Sequence, residues 1–155
     1  MMKVSLLEFF IRAIPEAFLF LYATYALSKT VVNKNKYLIS SILFLIIIFI
    51  IRQLPINFGV HTIIFLFVLI VISVSINNID VTKSIKASIM AVILQFICEG
   101  INVFIIQYIF RLNLNVIFKN PLAKTLYGIP STIIFAVIII LYYCILTRRN
   151  EMRDV

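Results

Sequence analysis

Reactive side chains are scarce in this chain. Its 155 residues include one histidine, two cysteines, three glycines and six acidic residues. A single histidine with no cysteine or carboxylate at ligand spacing excludes a zinc-type site, and no metal or other cofactor is expected. No HExxH sequence is present, which removes the metalloproteases. Asp80 and Asp154 fall in polar segments, so an intramembrane aspartyl protease lacks its pair. His61 and Cys98 fall on different helices at different depths, so a cysteine–histidine couple is not expected either. With no phosphate loop in addition, the chain reads as a non-enzyme. Cys98 and Cys144 lie inside apolar runs at unlike depths with no CxxC motif, which points to two structural thiols.

What the chain has in excess is apolar length. Hydrophobic residues make up 63% and charged residues 13%, and mean hydropathy is +1.14, whereas a soluble domain is about half apolar and about a quarter charged. The excess is divided into about five runs of membrane-spanning length, at roughly 6–27, 37–54, 60–76, 85–110 and 125–147. In hydrocarbon the backbone must satisfy its own hydrogen bonds, so such runs form helices. The expected fold is all-α: one polytopic transmembrane helix bundle over residues 1–155. Glu8, Arg12 and Glu16 interrupt the first run, which therefore reads as a mature helix and not as a signal peptide. Pro55, Asn57 and Gly59 predict a turn between the second and third runs. The fourth run, at roughly 26 residues, is longer than the hydrocarbon layer and must tilt, bend or emerge. Leu112, Leu114, Val116 and Ile117 predict a short interfacial segment before the fifth.

Net charge is +8, and the basic residues flank the apolar runs, where they meet anionic lipid. No soluble basic groove exists for nucleic acid, which is excluded as a partner. With five spans, one side collects Lys29, Lys34, Lys36, Lys83, Lys86, Arg148, Arg149 and Arg153. The other collects Lys3, Arg52, Arg111, Lys119 and Lys124, with Arg12 dipping into the membrane. This bias places the N-terminus outside and the C-terminus in the cytoplasm.

Charged groups inside a bilayer cost several kcal/mol, so each one calls for a partner or a task. Glu8, Arg12 and Glu16 share a helix face by i, i+4 spacing. That face is expected to turn inward, toward Glu99 near the centre of the fourth run and Arg52 at the end of the second. Gln95 and Asn102 accompany Glu99. Two readings are open: a structural ion pair that fixes helix register, or a polar site for a ligand, ion or signal. Gly59, Gly100 and Gly128 each lie beside a polar residue or a proline. Pro55, His61 and Pro130 fall toward the outer leaflet with Gly59 and Gly128, where broken helix ends can line a cavity. The candidate ligand or polar cluster is therefore Arg12, Glu16, Arg52, His61, Glu99, Asn102 and Pro130.

The segments Arg12-Ala13-Ile14-Pro15-Glu16, Arg52-Gln53-Leu54-Pro55 through Thr62, and Tyr127-Gly128-Ile129-Pro130 carry a resemblance. The chain resembles the N-terminal multi-pass sensor region of Gram-positive sporulation-type and accessory gene regulator-like histidine kinases. The resemblance implies a bacterial cell-membrane input module with a cytoplasmic C-terminus. The kinase part is not matched: six residues follow Arg149, without a phospho-acceptor histidine or an ATP module. Signalling would pass through a separate partner. The expected partners are the lipid bilayer, a separate signalling or membrane protein, or a second copy of the chain. Two other functions remain open: a small-solute transporter or the substrate-binding subunit of one, and an immunity or accessory protein. Scarce Ala-rich and Gly-rich helix faces count against the last.

Overall fold

The computed structural model describes residues 9–53, 58–109 and 121–152, and within them the side chains of all but 9, 10, 52, 58, 109 and 121–125. The expected turn at Pro55, the interfacial segment around Leu114, and any role of Glu8 lie outside the described residues. So does the side chain of Arg52.

Among the described residues the chain is all-helical. A π-helical turn, Phe9–Ala13, leads into α1 (Ile14–Leu27). Then come α2 (Lys34–Gln53), α3 (Phe58–Ser75), α4 (Val81–Phe104) and α5 (Pro121–Arg148), and α4 runs on as a second π-helical turn, Ile105–Ile109. Three stretches are long and apolar enough to cross a membrane: Lys34–Ile51, Val81–Tyr108 and Leu126–Arg148. The apolar part of α3, Gly59–Ser75, is shorter, and α1 has 14 residues. By length and composition alone, then, the described helices supply three spans where the sequence predicts five.

α2 starts at Lys34 where 37 is expected and α3 at Phe58 where 60 is expected, and the two larger differences have local reasons. α4 begins at Val81 and not at 85, because Asp80 leaves the helix with extended backbone (φ −50, ψ 138). Its carbonyl accepts Ser84 N–H at 2.8 Å, and its carboxylate pairs with Lys83 at 2.8 Å. α5 begins at Pro121 and not at 125. Proline suits the first position of a helix because its missing N–H would have no partner there.

Three helix ends close on left-handed residues: Lys29 after α1, Asn78 after α3 and Asn150 after α5 (φ 57, 56 and 51). Thr30 N–H returns to Tyr25 O at 3.1 Å and Glu151 N–H to Leu146 O at 3.2 Å, which satisfies carbonyls that the helix leaves open. The ends of α1 and α5 share one face of the bundle, where Lys29 Nζ meets Glu151 Oε2 at 2.6 Å. Near the end of α3, Ser73 Oγ lies 3.5 Å from Thr24 Oγ1 of α1.

α1 is the hub of the bundle. It contacts all four other helices, which follow one another around it, α2 on α3, α3 on α4 and α4 on α5. Its sequence fits that position: Ala17, Leu21, Ala23, Thr24 and Ala26 are all buried, and the alanines let neighbouring backbones come close. Phe20 reaches Phe65 of α3 and Phe135 of α5 with ring centroids 4.7 and 5.4 Å apart. The outer helices bury one side only. Ile46 and Ile50 on α2, Phe67 on α3, Phe96 on α4 and Leu141 on α5 are exposed. A surface that apolar suits lipid and not water.

Candidate functional site

The charged residues of the apolar helices meet at the end of the bundle opposite the Lys29–Glu151 pair. Arg12, in the π-helical turn ahead of α1, donates through Nη2 to Glu99 Oε1 of α4 at 2.6 Å. Gln95 Nε2 donates to the same oxygen at 3.3 Å. Glu16, one turn beyond Arg12, places Oε2 4.0 Å from Arg12 Nε. The side chains of Arg12 and Glu16 are 17% and 11% exposed, whereas Glu99 is 35% exposed. The carboxylate of Glu99 is thus the outward member of the group, and the guanidinium lies behind it.

Backbone and small residues shape the rest of the site. A Cβ at Gly128 of α5 would lie 2.9 Å from Arg12 Nη1 and 3.3 Å from Cζ, so the guanidinium rests against bare backbone. Asn102, one turn after Glu99, donates through Nδ2 to Tyr127 O at 2.6 Å and ties α4 to α5 beside Gly128. Pro130 stands inside α5, and Ser131 Oγ donates to Gly128 O at 2.7 Å.

Of the residues singled out in the sequence, Arg12, Glu16, Glu99 and Asn102 come together. His61 is partly buried on α3, with Nδ1 enclosed and no hydrogen-bond partner from the protein. Pro130 is exposed. α5 packs mainly on α1 and α4, and α3 on α1, α2 and α4; the turn at Pro55 and the side chain of Arg52, which a cavity at the outer ends of these helices would use, lie outside the described residues. The site also lies off-centre. Because α4 starts at Val81, Glu99 falls in the second half of the continuous helix Val81–Tyr108, and Glu16 is in the first turn of α1.

Sequence reasoning missed the inner face of α4. Ser84, Ser88, Ala91, Gln95, Cys98 and Asn102 are buried there, at alternating spacings of four and three residues, the period of a left-handed helix pair. Ser84, Ser88 and Ala91 make the first part of this face small, and Asn102 at its far end reaches α5 through Tyr127 O. Ser88 Oγ, Gln95 Oε1, Thr132 Oγ1 and Arg12 Nε are enclosed without a hydrogen-bond partner from the protein. Cys98 is buried and Cys144 exposed, and both are free thiols. Among the described residues, no group of histidine, cysteine and carboxylates could hold a metal.

At the opposite end the charges are exposed. The hydrogen bond and charge of Lys29 hold the Glu151 carboxyl below its ordinary range, and the same contact raises the Lys29 ammonium. The hydrogen bond and charge of Lys83 lower the Asp80 carboxyl. These are surface pairs of small energetic weight.

No protein-family model, curated protein or solved structure matches the chain.

Proposed function

We propose that the chain is a non-enzymatic input module of a bacterial cell membrane. In this reading the charged start of α1 senses a ligand or partner in the outer half and passes the change to a separate signalling protein at the inner face. One observation carries the reading: the 2.6 Å Arg12–Glu99 contact joins the hub helix to α4. A change at that contact is felt by the helix that touches every other one. The proposed topology has five spans, with the N-terminus outside and the C-terminus cytoplasmic. α3 contributes an apolar run of roughly 26 Å, close to the hydrocarbon thickness. α1 continues from the π-helical turn Phe9–Ala13, which lengthens its helical stretch, and most of its residues are buried among its neighbours, so little of it needs to face lipid. The orientation follows the basic residues Lys29, Lys34, Lys36, Lys83, Lys86, Arg148 and Arg149, which gather at the Lys29–Glu151 end.

A small-solute carrier is the second reading. The unpartnered polar atoms of Ser88, Gln95 and Thr132 favour it, because enclosed polar atoms of this kind usually face water or solute.

Spin labels at Val31→Cys and Thr147→Cys, with Cys144→Ser, report the inner face in lipid nanodiscs. Glu99→Gln should change the distance distribution between the labels while the protein stays folded. An unchanged distribution in a folded variant contradicts the input reading. Loss of solute counterflow with an unchanged inner face would instead select the carrier.

A further inference from the structure

An apolar cleft of about 160 Å³ opens between α3 and α4, lined by Thr62, Ile63, Leu66, Ile89, Val92 and Ile93. Its two walls continue toward the charged end of the bundle. On α4, Ile89, Val92, Ile93, Phe96, Glu99 and Gly100 follow one face at helical spacing. On α3, Gly59 precedes Thr62, Ile63 and Leu66 on one face in the same way. Gly59 and Gly100 add no side chain to these two faces, and a Cβ at either would meet nothing within 4 Å. Farther along the same face of α4 lies Glu99, whose side chain is 35% exposed, whereas its partner Arg12 is 17% exposed.

We propose that this groove binds an amphiphilic organic cation, with the alkyl chain between α3 and α4 and the ammonium on Glu99. The lining of the cleft offers apolar contact to the chain. The ammonium meets the carboxylate first, because Glu99 is the outward member of its ion pair. Arg12 keeps a second carboxylate within reach, Glu16 at 4.0 Å, so losing Glu99 does not strand the guanidinium. Binding would loosen the contact between α1 and α4 that the proposed input reading uses, and the inference rests on that reading for its consequence but not for its chemistry.

The test uses the full chain in phosphatidylcholine nanodiscs with radiolabelled dodecyltrimethylammonium. Dodecanol and dodecyl sulfate serve as competitors of equal chain length. Saturable binding is expected, with the ammonium preferred over the alcohol by at least about tenfold, the factor that a single ion pair of about 1.4 kcal/mol supplies. Glu99→Gln should abolish the preference. Gly59→Leu fills the groove away from the ion pair and should weaken binding of every dodecyl compound. Absent saturable binding, equal affinity for ammonium and alcohol, or an undiminished preference in folded Glu99→Gln would each overturn the assignment. The spin-labelled protein separates the two proposals. Cation binding with a motionless inner face contradicts the input reading alone, and an inner face that responds to Glu99→Gln without cation binding contradicts this inference alone.

Discussion

Gly128 and Arg12 touch across the bundle: the guanidinium lies where a side chain at 128 would begin, 2.9 Å from Nη1 to the position of a Cβ. The absence of a side chain on α5 therefore sets where the charge of Arg12 sits, and with it the geometry of the Glu99 contact. Gly128→Val should force Arg12 away from Glu99 and lower stability by about 1–3 kcal/mol, the usual range for overpacking. In an Arg12→Ala background the same substitution should cost much less, because the group it displaces is gone. Thermal unfolding of the four proteins in one detergent checks this, and equal losses in both backgrounds would contradict the contact.

Glu99→Lys should be more damaging than Glu99→Gln. The amide keeps the shape and can still accept from Arg12, whereas the ammonium places like charges together in a low dielectric. The yield of monodisperse protein after extraction reads the difference. Similar yields for parent, Gln and Lys variants would mean that the group is not packed as described.

The small face of α4 predicts a sidedness. Ala91 is fully buried and Ile93 exposed, so Ala91→Leu should cost about 1–3 kcal/mol by overpacking. Ile93→Ala should change folding stability far less. Equal effects would indicate that α4 is rotated relative to this face.

The Lys29–Glu151 pair links stability to pH at the end of the bundle opposite Arg12. The Glu151 carboxyl is lowered in the folded protein, so its contribution is complete above the ordinary carboxylate pKa of about 4.3 and is lost as pH falls through the lower folded value. Lys29 is raised, so its share is present below its ordinary pKa of about 10.4 and disappears as pH rises through the folded value. The difference in melting temperature between parent and Glu151→Gln should be small at neutral pH, vanish in acid and shrink in high salt. A difference that persists in acid would show that this contact is not its source.

The helical class and the polar face of α1 were legible in the sequence, because intramembrane charges are rare enough to point at one another. Arg12, Glu16 and Glu99 could be paired from cost and spacing alone. Helix ends were less legible. Val81–Ser84 and Pro121–Lys124 are too polar to score as apolar runs, yet backbone geometry at Asp80 and Pro121 starts the helices there. The central place of α1 was not visible either. A helix buried along most of its length accommodates small and polar residues such as Glu16, Ala17, Ala23 and Thr24, which read in a sequence as a weak span. The inner face of α4 escaped notice because its small residues are interleaved with Gln95 and Asn102, and such a mixed face reads as polarity and not as packing.

Reporter fusions after Asn35, Asn57, Asn78, Asn120 and Arg149 should alternate cytoplasmic, outside, cytoplasmic, outside, cytoplasmic. A cytoplasmic signal at Asn57 would overturn the five-span orientation.

The most direct measurement of the central claim is a double-mutant cycle on Arg12 and Glu99. Parent, Arg12→Ala, Glu99→Gln and the double variant are unfolded in the same micelle, and the coupling is read from the four stabilities. A partly exposed pair inside a helix bundle should give a coupling of about 1–2 kcal/mol, with the double variant little worse than either single one. Losses that simply add would mean that α1 and α4 are not joined by this contact, and the proposed input site would have no structural basis.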